Sequence, residues 1–223
     1  MPVKVHPLSM GLVQAYLIQG EAGLVLVDAG MPGFEQRVLQ RMQTLERQDL
    51  RLIWITHAHL DHYGSAAALR RRTGAPVAIH RADAAAMAQA ETHLGAVRGR
   101  GRLVGALLPL LQRALRPQPT PADLLMVDGD GLQDFGLDAR LLHTPGHTPG
   151  SSCLIVEGRF AFVGDLLSAT GQPHSQRFFA HDWSQIPHSL ARLQALKPER
   201  IYPGHGRGHI GGEALARLSF HGL

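Results

Sequence analysis

Residues 56–64 read THAHLDHYG, so His57, His59, Asp61 and His62 fall within six consecutive positions. Neutral imidazole and carboxylate are the preferred ligands of Zn²⁺ and related first-row metals. Side chains two apart share a face in extended chain, which groups His57 with His59. Asp61 and His62 follow where a helix is expected to begin. Four such groups packed together without a cation would compete for buried partners. The chain carries 14 histidines in 223 residues, however, so this stretch alone does not decide the matter.

Three distant stretches add to it. His147 lies in the Gly/Pro turn HTPGHTPGSS (143–152), Asp165 ends the apolar run in FVGDLL (162–167), and His205 ends another in IYPGHGRG (201–208). Each is a ligand-type residue expected at the end of a buried strand, where α/β folds place binding groups. Seven ligands are too many for one tetrahedral ion and suit two metals sharing a carboxylate.

HxHxDH, then a lone histidine in a TPGHTPGS turn, then GD, then PGHG, in that order, resembles the metallo-β-lactamase superfamily. The match runs from LVLVDAG (24–30) to PGHG (203–206). The resemblance implies an α/β fold of four layers, an αββα sandwich with two mixed sheets face to face and helices outside. It implies one metal on His57, His59 and His147 and a second on Asp61, His62 and His205, with Asp165 bridging. Zinc is the default ion, with iron or manganese as alternatives. Asp28, ending LVLVD, matches an aspartate that supports the metal loop in that family.

The departures bear on activity. Gly64 is followed by Ser65 where the family motif often has two glycines. Well-known zinc β-lactamases place a cysteine in the second site, where this chain has Asp165; Cys153 is on the wrong strand and reads as a small core residue. The pattern is closer to the glyoxalase II, thioesterase and lactonase branches. That implies hydrolysis of a thioester, lactone or related ester by a metal-bound hydroxide, with Asp61 and Asp165 as catalytic residues and Asp61 able to shuttle a proton. The alternatives are a phosphodiesterase or nuclease of the same fold and a mononuclear iron dioxygenase acting on persulfides. Tyr63 is either an oxyanion donor, catalytic and substrate-contacting, or a packing residue at the helix start. The segment 167–183 is expected to line the mouth, with Arg177, Phe178, Phe179 and His181 as substrate contacts, or with its aromatics in the core.

The elements that must position these groups read as one interleaved α/β domain over residues 1–223. The first 30 residues suggest strands, 33–49 a helix, LRLIWIT (50–56) a strand covered on both faces, 64–74 a helix and APVAIH (75–80) a strand. Residues 82–125 break the rhythm and read as a helical insert: a lid, a homodimer surface, or a helix packed on the core. Strand signals resume after it, followed by a helix at 184–196 and a last strand, ERIYPGHG.

Composition sets the remaining bounds. At 44% hydrophobic and 18% charged, the chain is an ordinary globular sequence. Net charge is +4, and the twenty arginines (against two lysines, Lys4 and Lys197) are spread along the chain, which argues against a nucleic-acid surface. One cysteine excludes an internal disulfide and fits a reducing compartment. No apolar stretch reaches 18 residues and the N-terminus lacks a signal-peptide core, so the expectation is a cytoplasmic enzyme of small molecules.

Overall fold

Trp54 and Ile55 are neighbours in one strand and point to opposite faces, yet both are wholly buried. A strand with this property needs a layer on each side, and the rest of the fold supplies both. The computed structural model describes residues 3–115 and 117–219.

The chain opens with β1 (Lys4–Met10), β2 (Val13–Gln19), β3 (Leu24–Val27), α1 (Glu35–Thr44) and β4 (Leu50–Ile55). There follow α2 (Leu60–Tyr63), α3 (Ala66–Thr73), β5 (Val77–His80), α4 (Ala84–Gln89), β6 (Ala96–Val97), α5 (Gly101–Leu115) and β7 (Leu124–Met126). The second half holds β8 (Ala139–His143), β9 (Ser152–Val156), β10 (Phe160–Ala169), β11 (His174–Ser175) and β12 (Phe179–Ala180). It closes with α6 (Ile186–Ala195), β13 (Arg200–Gly206), β14 (Ile210–Gly211) and α7 (Gly212–Arg217).

Period-two alternation sorts the strand side chains into three cores. Tyr16, Val27 and Trp54 from the first half meet Leu154, Phe162 and Tyr202 from the second, forming the layer between the sheets. Their strand neighbours Leu17, Leu26 and Ile53 face outward onto Val38 and Met42 of α1 and Leu69 of α3. Ile155, Val163 and Ile201 likewise pack under Leu190, Leu193 and Leu215 of α6 and α7. Helix, sheet, sheet, helix is the expected four-layer order. Each buried aliphatic or aromatic contributes roughly 1.5–3 kcal/mol, so both faces of every central strand hold the sandwich together.

The two sheets are leaves of one hydrogen-bonded sheet. Its strand order is β7-β5-β4-β3-β2-β13-β10-β9-β8, with β1, β11 and β14 attached at the sides, twelve strands among the described residues. The leaves join where β2 meets β13, through a pairing at Val13 and His205. The fold's seam therefore runs through a candidate ligand.

Two local expectations change. The Ala-rich stretch after residue 82 suggests a longer helix than forms: α4 ends at Gln89 and Ala90 takes a left-handed φ of 57°. The chain leaves the helix because the next residues serve the histidine loop: Thr92 Oγ1 accepts from Leu60 N at 3.2 Å, and the His93 carbonyl lies 3.1 Å from His59 Nε2. Asp165 is not at a strand end, since β10 continues to Ala169 with register shifts against β13 on either side of Gly164. Gly164 has φ of 48° and a Cβ there would stand 2.7 Å from Thr56 Oγ1, so only glycine makes the kink that aims Asp165.

Candidate metal centre

All seven candidate ligands converge. His57, His59, His147 and Asp165 form one group and Asp61, His62 and His205 a second, each with its ligand atoms within 4.8 Å of one another. Asp165 lies between them: its carboxylate oxygens are 3.3 Å from His62 Nε2, 3.3 Å from His205 Nε2 and 3.5 Å from His147 Nε2. Asp61 Oδ2 is 3.4 Å from His205 Nε2.

The outer nitrogens of the five imidazoles decide what the inner ones can do. His62 Nδ1 meets Asp28 Oδ2 at 2.8 Å, and His57 Nδ1 meets Thr56 Oγ1 at 3.0 Å. His147 Nδ1 meets the Phe179 carbonyl at 2.8 Å, His205 Nδ1 the Leu12 carbonyl at 3.0 Å, and His59 Nε2 the His93 carbonyl. Every ring thus has an oxygen acceptor on its far side, which fixes the tautomer that its neutral form takes, with the lone pair pointing inward. His147 Nε2 then faces His57 Nε2 at 3.2 Å and His59 Nδ1 at 3.0 Å, three lone pairs with no proton among them. His62 Nε2 and Asp165 Oδ1 are buried with no hydrogen-bond partner in the structure. Buried lone pairs held this close are repulsive unless a cation sits among them, so the donor set fits divalent metal ions.

Electrostatics differ between the two groups. Burial, reinforced by the neighbouring imidazoles, holds His57 well below its ordinary value and brings His147 down to about 4. Burial also works against a charged His62, but Asp165, Asp61 and Asp28 outweigh it and push that ring up to about 10. The same balance, led among the opposing charges by Asp165, raises His205. Burial is likewise overcome at the Asp61 and Asp165 carboxyls, which His62 and His205 hold below the usual range.

Support comes from residues of two kinds. Asp28 is buried in a left-handed conformation with φ of 58°, tolerable for aspartate, and accepts from Thr56 N at 2.8 Å and Thr56 Oγ1 at 3.0 Å besides holding His62. The family resemblance implies a supporting role for Asp28. Three others escaped sequence reading. Asp83 accepts from Ala58 N, Thr148 Oγ1 and Gly150 N at 2.6–2.9 Å, tying the histidine loop to the His147 turn. Gly204 leaves room under the centre, where a Cβ would stand 2.6 Å from His62 Cε1 and 2.8 Å from Asp165 Oδ1. Gln176 donates to the Asp165 carbonyl and accepts from the backbone N–H groups of Arg177 and Phe178, shaping the mouth segment. The glycine in PGHG was a usable signal; Asp83 and Gln176 carried none.

The candidate substrate residues are distributed differently. Tyr63 is fully buried in the core beneath α1 and α3 and does not line the cavity; burial pushes its hydroxyl up to about 12. The residue following His62 in a one-turn helix points away from the ligands, which explains its absence from the site. Arg177 lines a separate cleft beside Trp183, His181 lies in a shallow groove against α5, and Phe178 is 37% exposed outside the cavity. Its neighbour Phe179 is the aromatic of this segment that reaches the cavity. Cys153 is buried in the core under α6, as expected.

The cavity above the centre measures about 470 Å³. His59, Asp61, Asp165 and His205 are its polar floor; Met10, Leu12, Met31, Phe34, Leu94 and Phe179 are among its apolar walls. Val104 and Leu108 of α5 close one side, so part of the segment expected as an insert borders the site.

Known proteins resemble this chain in sequence and fold. The probable metallo-hydrolase YflN of Bacillus subtilis is 27% identical over 222 residues, covering 91% of this chain and 83% of that protein. A hydroxyacylglutathione hydrolase of Maricaulis maris is 33% identical over 156 residues, 69% of this chain; the match spans 47% of that protein, about half its length. The crystal structure of TTHA1623 in a di-iron-bound form superposes with a TM-score of 0.74 at 31% identity, covering 96% of this chain and 98% of that one. The family model for the metallo-beta-lactamase superfamily matches residues 9–205, from β1 through the last candidate ligand. By fold, ligand order and sequence alike, the chain belongs to the metallo-beta-lactamase superfamily.

Proposed function

We propose that the protein is a two-metal hydrolase of thioesters, lactones or related esters. The observation that carries this reading is the shared carboxylate: Asp165 approaches imidazoles of both ligand groups at 3.3–3.5 Å. In this reading His57, His59 and His147 hold one ion, Asp61, His62 and His205 the other, and Asp165 both. Divalent ions bound there supply a water acidified toward neutral pH and polarisation of a carbonyl. A second complete ligand group favours this over a mononuclear dioxygenase.

The chain's own groups do the rest. Asp61 is 31% exposed on the cavity floor and ionised, so it is the carboxylate placed to take a proton from attacking water and return it to the leaving thiolate or alkoxide. The apolar walls bind the acyl portion and exclude bulk water, which strengthens every charge interaction at the floor. The similarity to hydroxyacylglutathione hydrolases supports a thioester, and the di-iron-bound relative leaves iron as well as zinc for the ions. A panel of thioesters, lactones, β-lactams and phosphodiesters, run on protein of measured metal content, tests the reading. Turnover confined to the first two classes is expected; phosphodiester cleavage alone, or oxygen consumption with a persulfide, overturns it.

A further inference from the structure

The helix α5 has its apolar side turned outward. Leu103, Leu107 and Leu110, spaced i, i+4 and i+7, are 73%, 61% and 68% exposed. Toward the body of the protein it presents Gly101, against Phe178 and Phe179, and Gly105, against Leu94 and Val97. Around the helix from the leucine stripe, Val104 and Leu108 line the cavity. Beside them Leu12, 86% exposed on the β1–β2 turn, reaches the same cavity. One apolar surface therefore runs from solvent to the metal centre.

Its charge points to what covers it. Between Glu91 and Asp123 the sequence has no acidic residue but carries Arg98, Arg100, Arg102, Arg113 and Arg116. Arg98 is stacked over the Trp183 ring at 4.2 Å. Arg100, Arg102 and Arg113 are exposed, and no described carboxylate pairs with them. Arg102 and Arg113 flank the leucine stripe on the side opposite the cavity. A second copy of the chain laid on this stripe would bring arginines against arginines. An exposed leucine face bordered by arginine is instead the pattern of a helix lying in a membrane interface. At 15 residues α5 is about 22 Å long, too short to cross a bilayer core, and no described helix is long and apolar enough to do so.

We infer that α5 docks the protein on an anionic lipid surface, with the cavity opening toward the acyl chains. The surface stands whether or not the centre hydrolyses an ester. The test is cosedimentation of the metal-loaded protein with vesicles of phosphatidylglycerol and phosphatidylcholine in equal parts, against phosphatidylcholine alone. Binding to the anionic vesicles, lost in high salt, is expected. Replacing Arg100 and Arg102 by Ala should weaken it about 25-fold, at roughly fivefold per arginine. Leu103→Gln with Leu107→Gln should weaken it too, with circular dichroism and metal content unchanged in both variants. No preference for anionic vesicles overturns the inference, as does a dimer by light scattering that the leucine variants dissolve.

Discussion

Asp28 and His62 lie 34 residues apart in sequence and 2.8 Å apart in space, with the same carboxylate also holding Thr56 through two bonds. Through Thr56 Oγ1 the contact extends to His57, so one aspartate orients a ligand in each of the two groups. Asp28→Asn keeps the size and the left-handed backbone but cannot accept from all three donors. Metal affinity is expected to fall 10–100-fold with little change in circular dichroism, read by competition with a chromogenic chelator. Unchanged affinity would show that the imidazoles are held by packing alone.

Asp83 joins the two loops that carry His57, His59 and His147. Asp83→Ala leaves the buried N–H groups of Ala58 and Gly150 unpaired, while the Thr148 hydroxyl keeps Ser151 Oγ at 2.7 Å, and the metal-free protein should lose about 2–4 kcal/mol of stability. Urea denaturation in the presence of a chelator measures this without interference from bound ions; a loss below about 1 kcal/mol would mean that water replaces the carboxylate.

His80 provides a pH signature away from the centre. It is 5% exposed and stacked on His143 at 3.9 Å, and burial, His143 and Arg81 bring it down to about 4 against the opposing Asp83 and Asp128. Above about pH 6.5 the ring is neutral folded and unfolded, and it contributes nothing to the pH dependence. Between about 6.5 and 4 the unfolded chain binds the extra proton, so stability falls as pH falls, by about 2–3 kcal/mol over the window. His80→Gln should remove that component, giving a flatter denaturation midpoint against pH; an unaltered slope assigns the effect to other groups.

How much of this was legible depended on whether a role is local. The candidate ligands could be picked out because metal coordination demands His and Asp at close spacing, and because the distant His147 and His205 each carried a turn, TPGHTPGS or PGHG. Doubly covered strands could be read because two apolar faces leave a continuous run, as in LRLIWIT. Asp83 resembled any aspartate at a helix start; only contacts with Thr148 and Gly150 give it a role, and those are 65 and 67 residues away. Of the two readings of Tyr63, its burial fits packing: adjacency to His62 put it near the candidate ligands in sequence, while the helical turn carried its ring into the core. The end of α4 was invisible because Thr92 and His93 are recruited by the histidine loop, a tertiary demand that overrides alanine's helical preference.

The proposed centre holds two ions through one shared carboxylate. Mass-spectrometric metal analysis after reconstitution, on the native chain and on Asp165→Ala, tests it most directly. Two ions per chain in the native protein, with both sites weakened and esterase or thioesterase turnover lost together in the variant, is the predicted result. One ion per chain at full activity, or an Asp165→Ala protein that keeps two ions and turns over substrate, would contradict it.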